Sequence, residues 1–254
     1  MKKVASVFLT LLVFCASTKG ATNSVEVKEE IQEPVFTKTL TLDFFSKYVG
    51  PSGLAYTRNE VYQPSVTVTH ESGLYLSVWG SGAFREDDKY GGNEIDYLVG
   101  WAGDVGPVSV DTGIGYYDFQ KLFDGRKENA WAMFIEASKE YELKDAGLTL
   151  TPSLRFEENI PEPGSSYGSD FYVTTGLEIR KGVSEKVDVF FLPAVTYDNG
   201  IYGERCSALS LQCGVDISVS DGFTVKPTVI SYLPSEKNDR DNEVVYGIGL
   251  KYEF

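Results

Sequence analysis

The chain has 254 residues and a formal net charge of −14, and this length fits a single all-β domain of barrel size. Phosphate binding needs a basic surface, so this acidic chain is not expected to bind nucleic acid. Sixteen tyrosines and fifteen phenylalanines, beside only two methionines, favour pleated, half-buried strands over helix interiors.

The amino terminus has the pattern of an export signal. Lys2 and Lys3 precede an apolar run over residues 4–15, which is too short to cross a membrane as a helix. Small residues then predict cleavage after Gly20, with cleavage after Ser17 as the alternative. We therefore expect a signal peptide over residues 1–20 that is removed on export.

Two further features of this region bear on processing. Lipidation at Cys15 is disfavoured, because the bulky Phe14 precedes it. Residues 21–37 are polar and acidic without hydrophobic periodicity, which predicts a flexible leader before the folded domain.

From residue 38 onward, apolar and polar residues alternate with a period of two, which predicts strands. Twelve segments show this pattern: residues 38–48, 62–70, 73–84, 92–103, 107–119, 129–141, 147–158, 168–181, 185–198, 207–220, 223–234 and 243–254. Pro152 and Pro193 lie within two of them. Proline lacks the backbone donor of a strand ladder, so we expect local irregularity at both positions.

The carboxyl-terminal segment shows the clearest alternation. Large apolar residues occupy every second position up to a final aromatic residue: Tyr246, Ile248, Leu250, Tyr252 and Phe254. This pattern is similar to the end signal of bacterial outer-membrane barrels. The similarity implies that the barrel-assembly machinery is a partner and that these five residues are recognised by it.

Connectors between the segments alternate between short turns and long polar loops, which is typical of outer-membrane barrels. The polar faces carry Gly, Ser, Thr and charges of both signs, and Trp or Tyr residues lie near the ends of the apolar stripes. A soluble sandwich also alternates, but its strands are usually shorter. The sequence therefore predicts a closed antiparallel transmembrane β-barrel of about 12 strands over residues 38–254, lying in outer-membrane lipid with both termini periplasmic.

One stretch resembles a known family. Residues 62–81 (YQPSVTVTHESGLYLSVWGS), the Glu94-Ile95-Asp96 tripeptide and residues 111–117 (DTGIGYY) resemble the TorF-like porins. That family has a proline in its second strand and a Gly-aromatic-x-x-x-Trp-x-Ser third strand. Here Leu74 separates Gly73 from Tyr75, a departure of one residue. The resemblance covers residues 46–118 and implies a porin without indicating its solute.

Strand parity assigns charged side chains to the lumen. The predicted pore-lining residues are Asp43, Glu94, Asp96, Asp111, Glu136, Arg155, Glu157, Glu178, Arg180, Asp188, Asp216 and Lys226, and Lys47 and Lys251 share their parity. Acidic groups are in excess, which predicts a weak cation preference. Glu94 and Asp96 are expected at the outer mouth, where they would meet solutes first. The alternative is a salt-bridged filling that only supports the barrel.

Other chemistry has little support in the sequence. His70, the only histidine, ends the second segment beside a short turn, where a solvated turn residue is the commoner role. After signal cleavage the remaining cysteines are Cys206 and Cys213. An extended chain holds them roughly 23 Å apart, too far for a disulfide, and parity places Cys213 on the outer face. We expect no metal and no cofactor.

Three functions remain from these observations. The first is a passive outer-membrane channel for small hydrophilic solutes. The second is a structural or surface-binding barrel without transport, and the third is a barrel lipase or protease. The third is the weakest, because such enzymes usually need a histidine-centred set of residues. The sequence therefore predicts a channel rather than an enzyme.

Overall fold

The computed structural model describes residues 36–85, 93–119, 129–163, 169–200, 205–235 and 240–254. The predicted signal peptide and all but the last two residues of the predicted leader lie outside these ranges. No helix among the described residues is long and apolar enough to cross a membrane.

The described chain consists almost entirely of strands. They are β1 (Phe36–Phe45), β2 (Tyr48–Val49), β3 (Ala55–Thr57), β4 (Val61–His70), β5 (Leu74–Ala83), β6 (Glu94–Val105), β7 (Val108–Phe119), β8 (Ala130–Ser138), β9 (Tyr141–Leu143), β10 (Leu148–Pro161), β11 (Asp170–Ser184), β12 (Val187–Asp198), β13 (Cys206–Ser220), β14 (Phe223–Pro234) and β15 (Glu243–Glu253). A single 3₁₀ turn, Lys144–Ala146, precedes β10.

Twelve of these strands form a closed antiparallel barrel. The pairing order is β1, β4, β5, β6, β7, β8, β10, β11, β12, β13, β14 and β15, and β15 pairs with β1 to close the ring. At the seam, Lys38 and Phe254 exchange two backbone hydrogen bonds of 2.9 and 3.0 Å. The predicted fold and strand number are confirmed.

The connections between barrel strands are either short or long, and the short ones lie at one rim of the barrel and the long ones at the other. Turns of two to four residues join β4 to β5, β6 to β7, β9 to β10, β11 to β12 and β13 to β14, and they define the short-turn rim. Gly222 in the last of these turns has φ +72°, and a Cβ there would clash with the Glu253 carbonyl oxygen. The longer connections define the long-loop rim. β1 begins and β15 ends at the short-turn rim. The first and last residues of the barrel-forming chain therefore lie at this rim.

Proline interrupts the ladder where the sequence predicts irregularity. Lys139 and Glu140, opposite Pro152 and Thr151, separate β8 from β9 without changing the register of β10. The residue pairing of β11 with β12 is likewise interrupted opposite Pro193 and resumes in the same register. The missing proline donor explains both gaps.

The outer face of the barrel is apolar. Exposed large side chains occupy one parity along each strand, for example Leu74, Leu76, Tyr97, Val99, Leu154, Phe156, Tyr246 and Ile248. Cys213 is exposed on this face, and no disulfide links it to the buried Cys206. Near the long-loop rim the rings of Tyr116 and Trp131 lie 5.1 Å apart, as expected for an interfacial aromatic girdle.

The connection from β1 to β4 contains structure that the sequence analysis does not predict. Residues 46–60, here called the inserted loop, contain the small antiparallel pair β2 and β3. The predicted first segment runs to residue 48, but β1 ends at Phe45, so Lys47 belongs to this loop and not to the barrel wall. Ser52, Leu54, Tyr56 and Thr57 of the loop are all buried, because the loop lies across the inside of the barrel.

Candidate functional site

The inserted loop contacts one side of the barrel through aromatic rings. Tyr48 packs 4.8 Å from Tyr56 and 5.8 Å from Trp79 on β5, measured between ring centroids. Leu54 and Tyr56 form a buried cluster with Phe119 on β7. These contacts close the lumen near the long-loop rim on the β5–β7 side.

A hydrogen bond joins the same part of the loop to a lumen carboxylate. Tyr48 Oη donates to Glu94 Oε2 at 2.7 Å. Burial, together with the neighbouring Glu94 carboxylate, raises the pKa of the Tyr48 phenol well above its ordinary value. The phenol therefore stays protonated and acts as the donor.

On the opposite side of the barrel, the contacts of the inserted loop are ionic. Arg240, which precedes β15, bonds the Ser52 carbonyl at 3.2 Å through Nη1 and Asp198 Oδ2 on β12 at 3.0 Å through Nη2. Lys47 Nζ lies 2.5 Å from Glu243 Oε2, and Arg58 Nη2 lies 2.8 Å from Asp241 Oδ2. The loop thus reaches from β5–β7 to β12–β15.

Beneath the inserted loop, toward the short-turn rim, one side of the lumen carries paired charges. Arg155 pairs with Glu157 at 2.8 Å and Glu136 at 3.5 Å, and Arg180 pairs with Glu178 at 2.9 Å and Asp216 at 2.6 Å. Lys226 lies 3.6 Å from Asp216. We call Glu136, Arg155, Glu157, Glu178, Arg180, Asp216 and Lys226 the charged wall.

Two phenylalanines support the cations of the charged wall. The Arg155 guanidinium lies 4.1 Å from the centre of the Phe134 ring, and Lys226 Nζ lies 4.5 Å from that of Phe190. The Phe190 ring lies against Gly214, where a Cβ would come within 2.6 Å of it. Ring stacking and ion pairing together hold these cations against the barrel side.

The side of the lumen formed by β1, β4 and β5 is lined by hydroxyl groups. Thr41 and Ser65 hydrogen-bond at 2.7 Å, and Thr67 and Ser77 hydrogen-bond at 2.8 Å. These groups carry no charge and remain partly exposed. The lumen therefore has a charged wall facing a side that is mainly lined by hydroxyl groups and carries one carboxylate, Asp43.

The charged wall contacts water-accessible space. Side-chain exposure is 30% for Arg155, 35% for Glu136 and 41% for Lys226, against 5% for Arg240 and 0% for Asp198 under the inserted loop. A cavity of about 280 Å³ adjoins this region, lined in part by Asp104, Ser109, Asp111, Glu136 and Ser138. The part of the lumen toward the short-turn rim is thus accessible to water, whereas the part under the inserted loop is closed to it.

The structure places the predicted lumen residues on the inner parity of their strands, opposite the exposed apolar residues. It brings Glu136, Arg155, Glu157, Glu178, Arg180, Asp216 and Lys226 together in the charged wall. Asp111 accepts a hydrogen bond of 2.9 Å from Tyr75. Within the described residues, neither it nor Asp43 nor Asp188 forms an ion pair.

The expectation for Glu94 and Asp96 needs correction. Both lie near the long-loop rim at the start of β6, but Glu94 is only 5% exposed because Tyr48 covers it. They therefore do not stand at an open mouth in this structure.

The sequence did not predict that the inserted loop folds into the barrel, because the loop has no alternating pattern of its own. Its Gly50-Pro51-Ser52-Gly53 turn and its tyrosines were the available signals.

Little in the structure points to catalysis or metal binding. His70 Nδ1 lies 2.8 Å from the Ser72 hydroxyl at the short-turn rim, and its ring packs edge-on against Phe36. Within the described ranges, no group of three or more His, Cys, Asp or Glu residues could hold a metal ion.

The carboxyl-terminal strand presents its predicted recognition residues outward. Tyr246, Ile248, Tyr252 and Phe254 are 44–60% exposed, and the rings of Tyr252 and Phe254 stack at 5.3 Å. Leu250 shares their parity and is half-buried. Their recognition by assembly machinery stays a prediction.

Comparison with known proteins gives a family match over part of the chain. Residues 31–142 match a family described as a bacterial protein of unknown function (Gcw_chp). This range contains the 46–118 stretch discussed above. No curated protein sequence matches the chain.

Similar solved structures are outer-membrane barrels. The NanC porin shares 11% identity over 84% of this chain and 98% of its own, with a TM-score of 0.53. The β domain of the Bordetella autotransporter BrkA shares 16% identity over 86% of this chain and 99% of its own, also with a TM-score of 0.53. These similarities show that the fold is the closed antiparallel β-barrel found in outer-membrane proteins.

Proposed function

We propose that this protein is a channel of the bacterial outer membrane through which small hydrophilic solutes diffuse passively, with a weak preference for cations. The observation that carries the proposal is the solvent-accessible space around the lumen charges. Side chains of the charged wall keep up to 41% exposure although they point into a closed barrel. A barrel filled only for support would pack its interior densely and leave no such space.

The cation preference is supported by which charges remain unpaired. Within the described lumen, Arg155, Arg180, Lys226 and Lys251 all lie in ion pairs. Five predicted lumen carboxylates have no such partner among the described residues: Asp43, Glu94, Asp96, Asp111 and Asp188. An unpaired negative charge in a narrow low-dielectric passage raises the local cation concentration.

The remaining parts of the proposal concern family and cellular context. Membership in the TorF-like porins is supported by the motifs between residues 62 and 117. In this account the signal peptide is cleaved, and the short-turn rim with both termini faces the periplasm. The barrel-assembly machinery recognises the final strand, and the protein needs no cofactor.

A structural barrel without transport is the second candidate, and one observation favours it. The inserted loop closes the lumen at the long-loop rim with residues as little exposed as Ser52, at 1%. In a barrel without transport, the part of the lumen beside the charged wall would be a vestibule that opens only at the short-turn rim.

Liposome swelling separates the two candidates. Proteoliposomes that contain the folded barrel are diluted into isosmotic sugars and amino acids of increasing size. A channel gives swelling rates that fall with solute size, whereas empty-liposome rates for every solute would reject transport. Heat-modifiable migration on gels serves as the control for folding of the reconstituted protein.

A further inference from the structure

The charged side chains on the outer face of the barrel separate by sign. Among the described residues that share the parity of the outer apolar residues, lysines lie toward the short-turn rim and carboxylates lie toward the long-loop rim. The lysines, here called the outer lysines, are Lys38, Lys139 and Lys181, and the carboxylates are Asp118, Glu158 and Glu162. The apolar surface therefore has a basic border at one rim and an acidic border at the other.

The neighbours of the outer lysines place them on the wall of the barrel. Lys38 Nζ lies 5.6 Å from the centre of the Phe254 ring, and Lys139 Nζ lies 5.0 Å from that of Tyr141. Lys181 is exposed and lies in register between Leu148 of β10 and Val189 of β12. The aliphatic part of a lysine can follow such an apolar surface while its ammonium group reaches the polar edge of the membrane.

The described part of the chain supplies no carboxylate partner for the outer lysines. In the lumen, Arg155, Arg180 and Lys226 each pair with a carboxylate, but no ion pair joins an outer lysine to a described residue. Glu253 at the short-turn rim has inward parity and pairs with Lys251. The other carboxylates nearest this rim lie in the turns, at Glu71, Asp145, Glu185 and Asp221. A counter-charge beside the wall must therefore come from outside the described chain.

The phosphate of a membrane lipid has the charge and the position that the outer lysines require. Lipid phosphates lie at the boundary between hydrocarbon and water, and aromatic side chains such as Phe254 and Tyr141 often border that boundary. Each lysine beside an anionic leaflet raises the affinity for it by roughly fivefold. At the long-loop rim, the outward carboxylates would repel the same phosphates. Charge complementarity thus favours anionic lipid at the short-turn rim only.

We infer that the outer face at the short-turn rim binds the head-group phosphates of anionic phospholipids through Lys38, Lys139 and Lys181. This binding fixes the depth of the barrel in the membrane and turns the short-turn rim toward the phospholipid leaflet. The inference does not depend on conduction through the lumen.

A native thiol lies along the path of a lipid bound at Lys181. Lys181, Val189 and Val215 are in register across β11, β12 and β13. Cys213 lies two residues from Val215, on the same face and farther from the short-turn rim, and it is exposed, whereas Cys206 is buried. The acyl chains of a lipid whose phosphate contacts Lys181 therefore pass close to Cys213. A bimane fluorophore on Cys213 of the folded protein reports such a lipid, and mass spectrometry verifies the labelled position.

Quenching by brominated lipids measures the lipid preference at this position. The labelled protein is reconstituted into phosphatidylcholine vesicles that contain increasing fractions of brominated phosphatidylglycerol or of brominated phosphatidylcholine. For wild type, half-maximal quenching should need an about fivefold lower mole fraction of phosphatidylglycerol than of phosphatidylcholine. Lys181→Gln should remove this difference. Lys181→Arg keeps the charge and should keep the preference.

Lys186→Gln is the matched control. It removes the same charge from the turn between β11 and β12, but Lys186 lies at the exposed tip of the turn and not on the wall. The preference for phosphatidylglycerol should therefore stay at the wild-type value. Heat-modifiable migration on gels verifies that every variant is folded. Equal losses of preference in Lys181→Gln and Lys186→Gln would overturn the inference, because the attraction would then be general to the rim.

Competition with lipid A distinguishes two sources of the same phosphate chemistry. Unlabelled lipid A or unlabelled phosphatidylglycerol is added to wild-type protein that is quenched by brominated phosphatidylglycerol. Phosphatidylglycerol should restore the fluorescence more effectively than lipid A. Equal or stronger displacement by lipid A, or equal quenching of wild type by the two brominated lipids, would overturn the inference.

Discussion

The two halves of the lumen contain the same kinds of ion pair in different surroundings. Under the inserted loop, Asp198 and Arg240 are 0% and 5% exposed, whereas Asp216 and Lys226 in the half toward the short-turn rim are 19% and 41% exposed. The strands of both halves alternate in the same way. The difference arises from the loop, which excludes water from one half only. Hydration of a barrel interior is therefore set by what folds into it as well as by strand composition.

The largest expected contrast is in stability. Phe119→Ala removes a ring from the dry cluster with Leu54 and Tyr56 and should lower the free energy of unfolding by about 3–5 kcal/mol. Tyr75→Ala removes a half-exposed lumen aromatic and its hydrogen bond to Asp111, and should cost about 1–2 kcal/mol. Urea unfolding in detergent micelles measures both. Equal losses of unfolding free energy would mean that the inserted loop does not exclude water from one half of the lumen more than from the other.

A second contrast is between the wet lumen and the outer face of the same strand. Cys213→Arg places a charge among exposed apolar residues of β13 and should cost about 2–4 kcal/mol near the bilayer midplane. Asp216→Asn, on the inner face, should change stability by less than about 1 kcal/mol, since its partners are partly hydrated. Unfolding in lipid vesicles measures this difference. The reverse order would show that the faces of β13 are assigned wrongly.

The smallest expected effect is on ion selectivity. It compares the unpaired carboxylates Asp43 and Asp111 with Glu94, which the inserted loop covers. The double variant Asp43→Asn with Asp111→Asn should lower the cation-to-anion permeability ratio by about twofold at low salt. The effect should fade toward 1 M salt, where the Debye length is about 3 Å. Reversal potentials across a KCl gradient give the ratio.

Glu94→Gln is the control for this selectivity change. Its carboxylate lies under Tyr48 of the inserted loop, so the cation-to-anion permeability ratio should stay near that of wild type. A larger effect from Glu94→Gln than from the double variant would place the selective carboxylates in the half that the inserted loop covers.

The sequence predicts the barrel well because each strand carries its own signal. Alternation fixes the inner and outer faces, so the outward Cys213 and the inward Arg180 follow from parity alone. Pro152 and Pro193 lack a backbone donor, and their positions predict the gaps in the ladder. A final aromatic residue after an alternating strand marks the seam between β15 and β1.

The closure of the long-loop rim could not be predicted in the same way. It depends on contacts between residues far apart in the chain, such as Ser52 with Arg240 and Tyr48 with Glu94. No local periodicity encodes these contacts. Parity assigns Glu94 to the lumen but gives no information about whether a loop covers it, which is why the expected outer mouth is closed here.

Planar-bilayer recording decides whether ions pass through the lumen. Wild-type protein is recorded at 0.1 M KCl and then across a KCl gradient. We expect a small conductance and a reversal potential of the cation-selective sign. An absence of conductance from folded protein, or a reversal potential of the anion-selective sign, would refute the proposed channel.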